Sequence, residues 1–311
     1  NMITSGRWFL TVACGFSSYF TIPWVIGLIG LIWLALTAAV LTEVLELTDP
    51  VTITVVSGLL VSFSALASTF AYVFTMDGYM MALFLAVLAV LFTAKYPRGY
   101  LAGAVCLAFS MGIYQAYLPF TILLCVYKLL LYFMEEKGWK EKAKYVCRYL
   151  GMGIAGGVLY YVILQILLKL QGKVLDTYQG INSMEQMGSG MGILATIKEM
   201  YVDFLAFTVH GNVLVNNIFS LAACIILVAT VVFLVIRSMI WRKWWKNPAF
   251  FVIMILLGIS MPLLTNVILL ISPNLTYHLL MRYQWVLYLI LMTAFADRYT
   301  AEESRTDVVL Q

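Results

Sequence analysis

Apolar runs of membrane-crossing length recur along almost the whole of this sequence, and they constrain it more than any motif does. A helix needs roughly 20 apolar residues to cross a hydrocarbon core about 30 Å thick. Inside lipid, every backbone N–H and C=O must also be satisfied within the protein. The runs fall near 21–42, 53–74, 79–94, 99–114, 116–134, 146–169, 213–240, 249–271 and 278–296. They predict an all-α, polytopic transmembrane helical bundle of about nine spans. The third and fourth runs are short, about 24 Å at 1.5 Å per residue, which suits a locally thinned bilayer or the flank of a cavity. An earlier stretch, Trp8 to Phe20, is too short to span. Its Trp8, Phe9, Val12, Phe16 and Phe20 share one helical side, with Thr11, Ser17 and Ser18 elsewhere, as in a helix lying in the interface.

Charge decides the class and the orientation. Charged residues make up 11% of the 311, against about 25% in soluble domains. Placing 95–98, 135–148, 237–247 and the tail from 297 to 311 in the cytoplasm, with Lys128 near the inner end of its span, puts fourteen of the 19 Lys and Arg inside. Arg7, Lys169, Lys173, Lys198 and Arg282 stay outside. The connection Glu43 to Pro50 carries three acids and no base yet must lie inside; acids weigh little in this rule.

This orientation gathers the polar oddities on the outer face. Gly6-Arg7-Trp8, Met76-Asp77-Gly78-Tyr79, Tyr114-Gln115-Ala116-Tyr117, His210-Gly211-Asn212 and Tyr277-His278 fall there, with Arg282 about one turn into the last span. Asp77 sits between two apolar runs. A carboxylate at that depth is either functional or ends the two spans in a wet turn. The longest outer connection, 171–212, opens with Gly172, Gly180, Gly188, Gly190 and Gly192. It then turns amphipathic, with Ile193, Leu194, Ile197, Met200, Tyr201, Phe204 and Leu205 on one side and Thr196, Lys198, Glu199 and Asp203 on the other. A surface helix lying along the membrane as a lid over the outward site is the expectation.

Other features read as structure. Gly151, Gly153, Gly156 and Gly157 allow close helix packing. Tyrosines near span ends and Met80-Met81 are ordinary lipid anchors, and Gln165 bonds a neighbouring helix. Asn274-Leu275-Thr276 fits a glycosylation sequon, a short and frequent pattern. The 5 cysteines are scattered, and His210 and His278 are the sole histidines, so no disulfide framework or metal site is indicated. Whether a divalent metal takes part stays open; no other cofactor and no nucleic acid is indicated. There is no phosphate-cradling Gly loop, GxSxG elbow or HExxH. An enzyme of this kind would act on a substrate presented at the membrane. One carboxylate, an amide, aromatics and two arginines suit sugar transfer from a lipid phosphate, with Asp77 as general base and arginine on the phosphate.

Gly6-Arg7-Trp8 before an interfacial helix, the Asp77 turn after an aromatic-rich span end, and Gly112-Ile113-Tyr114-Gln115-Ala116 at the end of a later span resemble the GtrII-type glucosyltransferase family. The match runs from residue 5 to about 135 in motifs and beyond in layout. The resemblance implies a single GT-C-like domain over 1–311 in a bacterial plasma membrane. Its site would be extracytoplasmic, moving a sugar, usually glucose, from a polyprenyl-phosphate donor to a cell-surface polysaccharide such as an O-antigen. It assigns Asp77 a catalytic place and makes Arg7, Tyr79, Tyr114, Gln115, Tyr117, His278 and Arg282 substrate-binding residues. Met76 stands where an aromatic is common before the acid. The family's first span and acidic first loop would lie ahead of Asn1, so the chain is expected to be truncated at its N-terminus and to lack an upstream catalytic acid. Asp77 would then be a second acid, orienting the acceptor or a metal, or an anchor. Rival readings are a transporter or flippase of lipid-linked sugar, which should show inward polar residues along a path, an outer-leaflet glycan polymerase, or a purely structural membrane protein.

Overall fold

The structure is a computed structural model that describes residues 2–20, 22–135, 137–175, 193–241, 248–271 and 276–309. All regular structure among them is helical. In chain order the helices are α1 (Leu10–Ala13), α2 (Gly15–Phe20), α3 (Pro23–Leu45), α4 (Pro50–Ser62), α5 (Ser64–Phe70), α6 (Met76–Lys95) and α7 (Gly99–Ile113). They are followed by α8 (Leu118–Met134), α9 (Trp139–Leu170), α10 (Ile193–Leu205), α11 (Ile218–Trp241), α12 (Pro248–Thr265), α13 (Val267–Ile271) and α14 (Val286–Val309). Short 3-10 segments at Gln115–Tyr117 and Leu279–Trp285 lead into α8 and α14, and a π turn at Ala206–His210 follows α10.

Each of the nine expected runs is helical, but they are not equal. Among the described residues six helices are long and apolar enough to cross a membrane, and seven if α4 and α5, bent by 49° at Phe63, form one span. Gly99–Ile113 and Phe251–Thr265 are shorter. These helices are consistent with an integral membrane protein. The run at 79–94 is longer than expected: α6 begins at Met76, so Asp77 lies in its first turn and not in a connecting loop. The expected interfacial helix is broken into α1 and α2 at Cys14, and Trp8, Leu10, Cys14 and Ser17 are buried, while Val12 and Phe20 are exposed. The expected tail continues the last helix to Val309.

Local chemistry explains where the helices start and stop. Pro23 and Pro50 open α3 and α4, where the missing N–H costs nothing. Asp49 caps α4 by accepting from the Thr52 amide at 2.8 Å. α6 packs between α3 and α7, and α7 against α9. Small residues permit that approach. A Cβ on Gly103 would meet Thr93 Oγ1 at 2.5 Å, and one on Gly156 would meet Leu107 at 3.0 Å. Of the four glycines expected to do this on α9, Gly156 makes the tight contact, Gly151 an ordinary one, and Gly153 and Gly157 face open space. Ser110 and Thr121 donate to the α6 carbonyls of Ala82 (2.7 Å) and Ala86 (3.3 Å), fastening α7 and α8 to it. Around this core α14 packs on α4, α8 and α11, and α12 on α8 and α10.

The acidic connection after α3 sits among the basic residues, as its place in the topology requires. Lys95 pairs with Glu43 at 2.6 Å, Lys128 with Glu46 at 2.6 Å, and Arg298 with Glu46 at 3.0 Å. Burial by itself would raise the Glu46 carboxyl; the Lys128 hydrogen bond and charge, then those of Arg298, outweigh it and hold the group below its ordinary 4.5.

Candidate functional site

Two motifs a hundred residues apart in sequence dock on each other at the opposite end of the bundle. Gly6 adopts φ +74°, and a Cβ there would meet Gln115 Nε2 at 2.6 Å and the Tyr160 hydroxyl at 2.8 Å. Only glycine suits that conformation and that space. The Phe9 amide donates to the Gly112 carbonyl at 2.8 Å, and the Trp8 indole lies where a Gly112 Cβ would be, 2.6 Å away. Gln115 Nε2 donates to the Tyr160 hydroxyl (2.9 Å), which donates to the Gly6 carbonyl (3.0 Å). Glycine on each strand of the contact is what lets Arg7 approach the end of α7.

Arg7 is held by aromatics. Its Nη1 donates to the Tyr79 hydroxyl at 3.3 Å, and its guanidinium lies 5.2 Å from the Tyr114 ring centroid. Tyr79 and Tyr114 stack at 4.4 Å, and Tyr117 meets Tyr114 edge-on at 5.4 Å. Arg7 Nε and Trp8 Nε1 are buried donors that find no acceptor among the described residues. An unmatched buried donor costs more than a made hydrogen bond returns, so two in succession point to an acceptor outside the described residues.

Asp77, 2% exposed, lies two residues before Tyr79. Its Oδ2 accepts from the Ser17 hydroxyl and its Oδ1 from the Gly78 amide at 2.9 Å. The first turn of a helix favours a carboxylate. Asp77 therefore fastens α2 to α6, beside the contact of Gly78 with Leu10 of α1.

Arg282 belongs to a second cluster. Its Nη1 and Nη2 donate to the two Asp203 carboxylate oxygens at 2.8 and 2.6 Å, and its Nε to the Tyr277 carbonyl at 3.3 Å. Tyr277 and Phe207 rings flank the guanidinium at 3.9 and 4.5 Å. Asn266 donates to Asp203 at 3.1 Å and Gln284 to the Tyr277 hydroxyl at 2.7 Å. The two clusters are joined through rings: Tyr114 touches Tyr117, and Tyr117 touches Tyr283, next to Arg282, at 6.3 Å. His278 is exposed where the 3-10 segment begins. Gln165 lines a cavity of about 500 Å³ at the end of α9, with Lys169 and Lys173.

α10 meets the bundle with an unexpected side. Thr196 and Met200 are buried and Asp203 turns inward to Arg282, while Ile193, Leu194 and Leu205 are exposed. The inward side thus mixes the two expected sides, Met200 and Phe204 with Thr196 and Asp203, while Lys198 and Glu199 stay exposed with Ile193, Leu194 and Leu205. Gly180, Gly188, Gly190, Gly192 and the Asn274 and Leu275 of the sequon lie outside the described residues. Among the described residues, no three of His, Cys, Asp and Glu group as metal ligands.

The sequence model of the glucosyl transferase GtrII family matches residues 1–295. The chain belongs to the GtrII glucosyl transferase family. Glucosyl transfer is the activity that membership implies. No match is found among curated proteins or among solved structures. In this GtrII chain, the candidate residues contact, directly or through one partner, others that motif reading missed: Ser17, Tyr160, Asp203, Asn266 and Gln284. Asp203 carried a usable signal, since Thr196, Met200 and Asp203 share one helical face at spacings of four and three.

Proposed function

We propose that the chain moves a glucosyl group from a polyprenyl-phosphate donor to a cell-surface polysaccharide, on the extracytoplasmic side, with Arg7 holding the donor phosphate. The observation that carries this reading is the pair of unmatched buried donors, Arg7 Nε and Trp8 Nε1. A phosphate brings acceptor oxygens in the planar arrangement a guanidinium fork fits, and its charge grows as it leaves the sugar. Tyr79 and Tyr114 orient the fork, Gln115 is held ready by Tyr160, and Tyr117 closes the apolar side towards Tyr283. Arg282 is a weaker phosphate ligand in this arrangement, because Asp203 already neutralises it. Asp77, engaged at both oxygens, serves as the anchor that seats the N-terminal helices against α6.

Transfer from polyprenyl-phosphate glucose tests the proposal. Arg7→Ala should lower kcat/KM by about 10- to 150-fold, the equivalent of a charged hydrogen bond worth roughly 1.5–3 kcal/mol. Arg7→Lys, which keeps the charge and loses the fork, should recover part of that loss. Wild-type turnover in Arg7→Ala would remove Arg7 from the site.

A further inference from the structure

The half of the bundle away from Arg7 contains an apolar crevice of about 220 Å³ between α8, α11, α12 and α14. Tyr127 and Met134 of α8, Val235 of α11, Met254 of α12, and Leu291 and Phe295 of α14 are among its walls. On α8 it extends from Leu123 to Met134, about 16 Å along the helix axis. Only 6% of the apolar window of Ile218–Ile240 is buried, so bilayer tails reach the edge of the crevice along α11. Methionine walls adapt to a flexible chain.

One wall residue asks for more than hydrocarbon. Tyr127 is 7% exposed, and its hydroxyl has no hydrogen-bond partner among the described residues. It lies within electrostatic reach of Arg298, Glu46 and Asp297, at the ion-paired end of the bundle. A buried hydroxyl requires an acceptor at that depth. A polyprenyl tail has none along its length, whereas the ester of a diacyl phospholipid places a carbonyl just below the headgroup. We propose that the crevice binds one acyl chain of a phospholipid from the leaflet on the Glu46–Arg298 side. The Tyr127 hydroxyl donates to the ester carbonyl and the chain runs up between α8 and α11 towards Leu123. This lipid site is separate from the glucosyl-transfer site and does not depend on how that site works.

Native mass spectrometry and lipid extraction of the full protein, taken from membranes through exchange into a mild detergent, test the site. The wild type should keep about one diacyl phospholipid per chain. Tyr127→Phe preserves shape and removes the donor, so it should release the lipid roughly tenfold more readily. Leu291→Trp fills the crevice and should keep none while retaining its helical circular dichroism. Equal retention in all three proteins would overturn the proposal. So would a retained polyprenyl lipid in place of the phospholipid, or a dimer that Leu291→Trp dissociates. Should Leu291→Trp fail to fold, the comparison of Tyr127→Phe with wild type decides alone.

Discussion

Gly6 is the residue on which the Arg7 neighbourhood turns. A methyl group there would enter Gln115 and Tyr160 and force a left-handed backbone on a residue with a Cβ. Gly6→Ala should therefore cost about 1–3 kcal/mol of stability, read as a lower thermal midpoint in detergent, and should reduce transfer in parallel. Ser17 and Asp77 allow a sharper separation of roles. If Asp77 is an anchor, Ser17→Ala and Asp77→Asn lower the thermal midpoint and the turnover together. If it is the base, Asp77→Asn alone lowers kcat, by about 10²–10⁴, and Ser17→Ala leaves kcat unchanged. The position of Arg7, Asp77 and Gln115 at one end of the bundle was legible in the sequence, because basic-residue bias and run order fix which loops share a face. The partners were not. Tyr160 lies within a plain apolar span and Ser17 in a stretch read as interfacial, and neither breaks a pattern that a sequence displays.

At the scale of elements, α10 shows how a hydrophobic pattern can mislead. In water its apolar stripe would turn inward; beside lipid, apolar residues are equally content outside. Individual partners then decide what turns inward: Asp203 finds Arg282 among aromatic rings, while Lys198 and Glu199 stay exposed. Breaking such a pair by removing one partner leaves an uncompensated charge, typically at a cost of about 3–5 kcal/mol when buried; at 24% side-chain exposure for Asp203 the lower end is expected. Asp203→Ala should release α10, seen as faster amide exchange over Ile193–Leu205 with α6 and α7 unchanged. Unaltered exchange would mean that Met200 and its apolar contacts hold the helix unaided. Helix starts at Pro23 and Pro50 were readable from proline position alone. The break at Cys14 and the bend at Phe63 were not, since both arise from packing on α6 and on the Leu279–Trp285 segment.

For the whole molecule, the pairing of the acidic loop with basic residues ties topology to stability. Glu46 is held below its ordinary 4.5, so its contribution is complete above that value and is lost as pH falls through the lowered one. The thermal midpoint should drop as pH goes from about 5 to about 3. Glu46→Gln should flatten that drop while lowering the midpoint at neutral pH, because buried Lys128 loses its counter-charge. Cysteines placed at Gly78 and Lys140 should label from opposite sides of the membrane; labelling from one side would contradict the orientation. That the apolar runs are helical was legible from the sequence, but not how many are long enough to cross: among the described residues six are, or seven with α4 and α5 as one, against about nine expected. The most direct test of the account is transfer by the full protein in proteoliposomes carrying radiolabelled polyprenyl-phosphate glucose, with polysaccharide supplied on the side that bears residue 78. Label should move to the polysaccharide in wild type and fall by at least tenfold in Arg7→Ala; transfer from a nucleotide-sugar in place of the lipid donor, or equal transfer by Arg7→Ala, would contradict it.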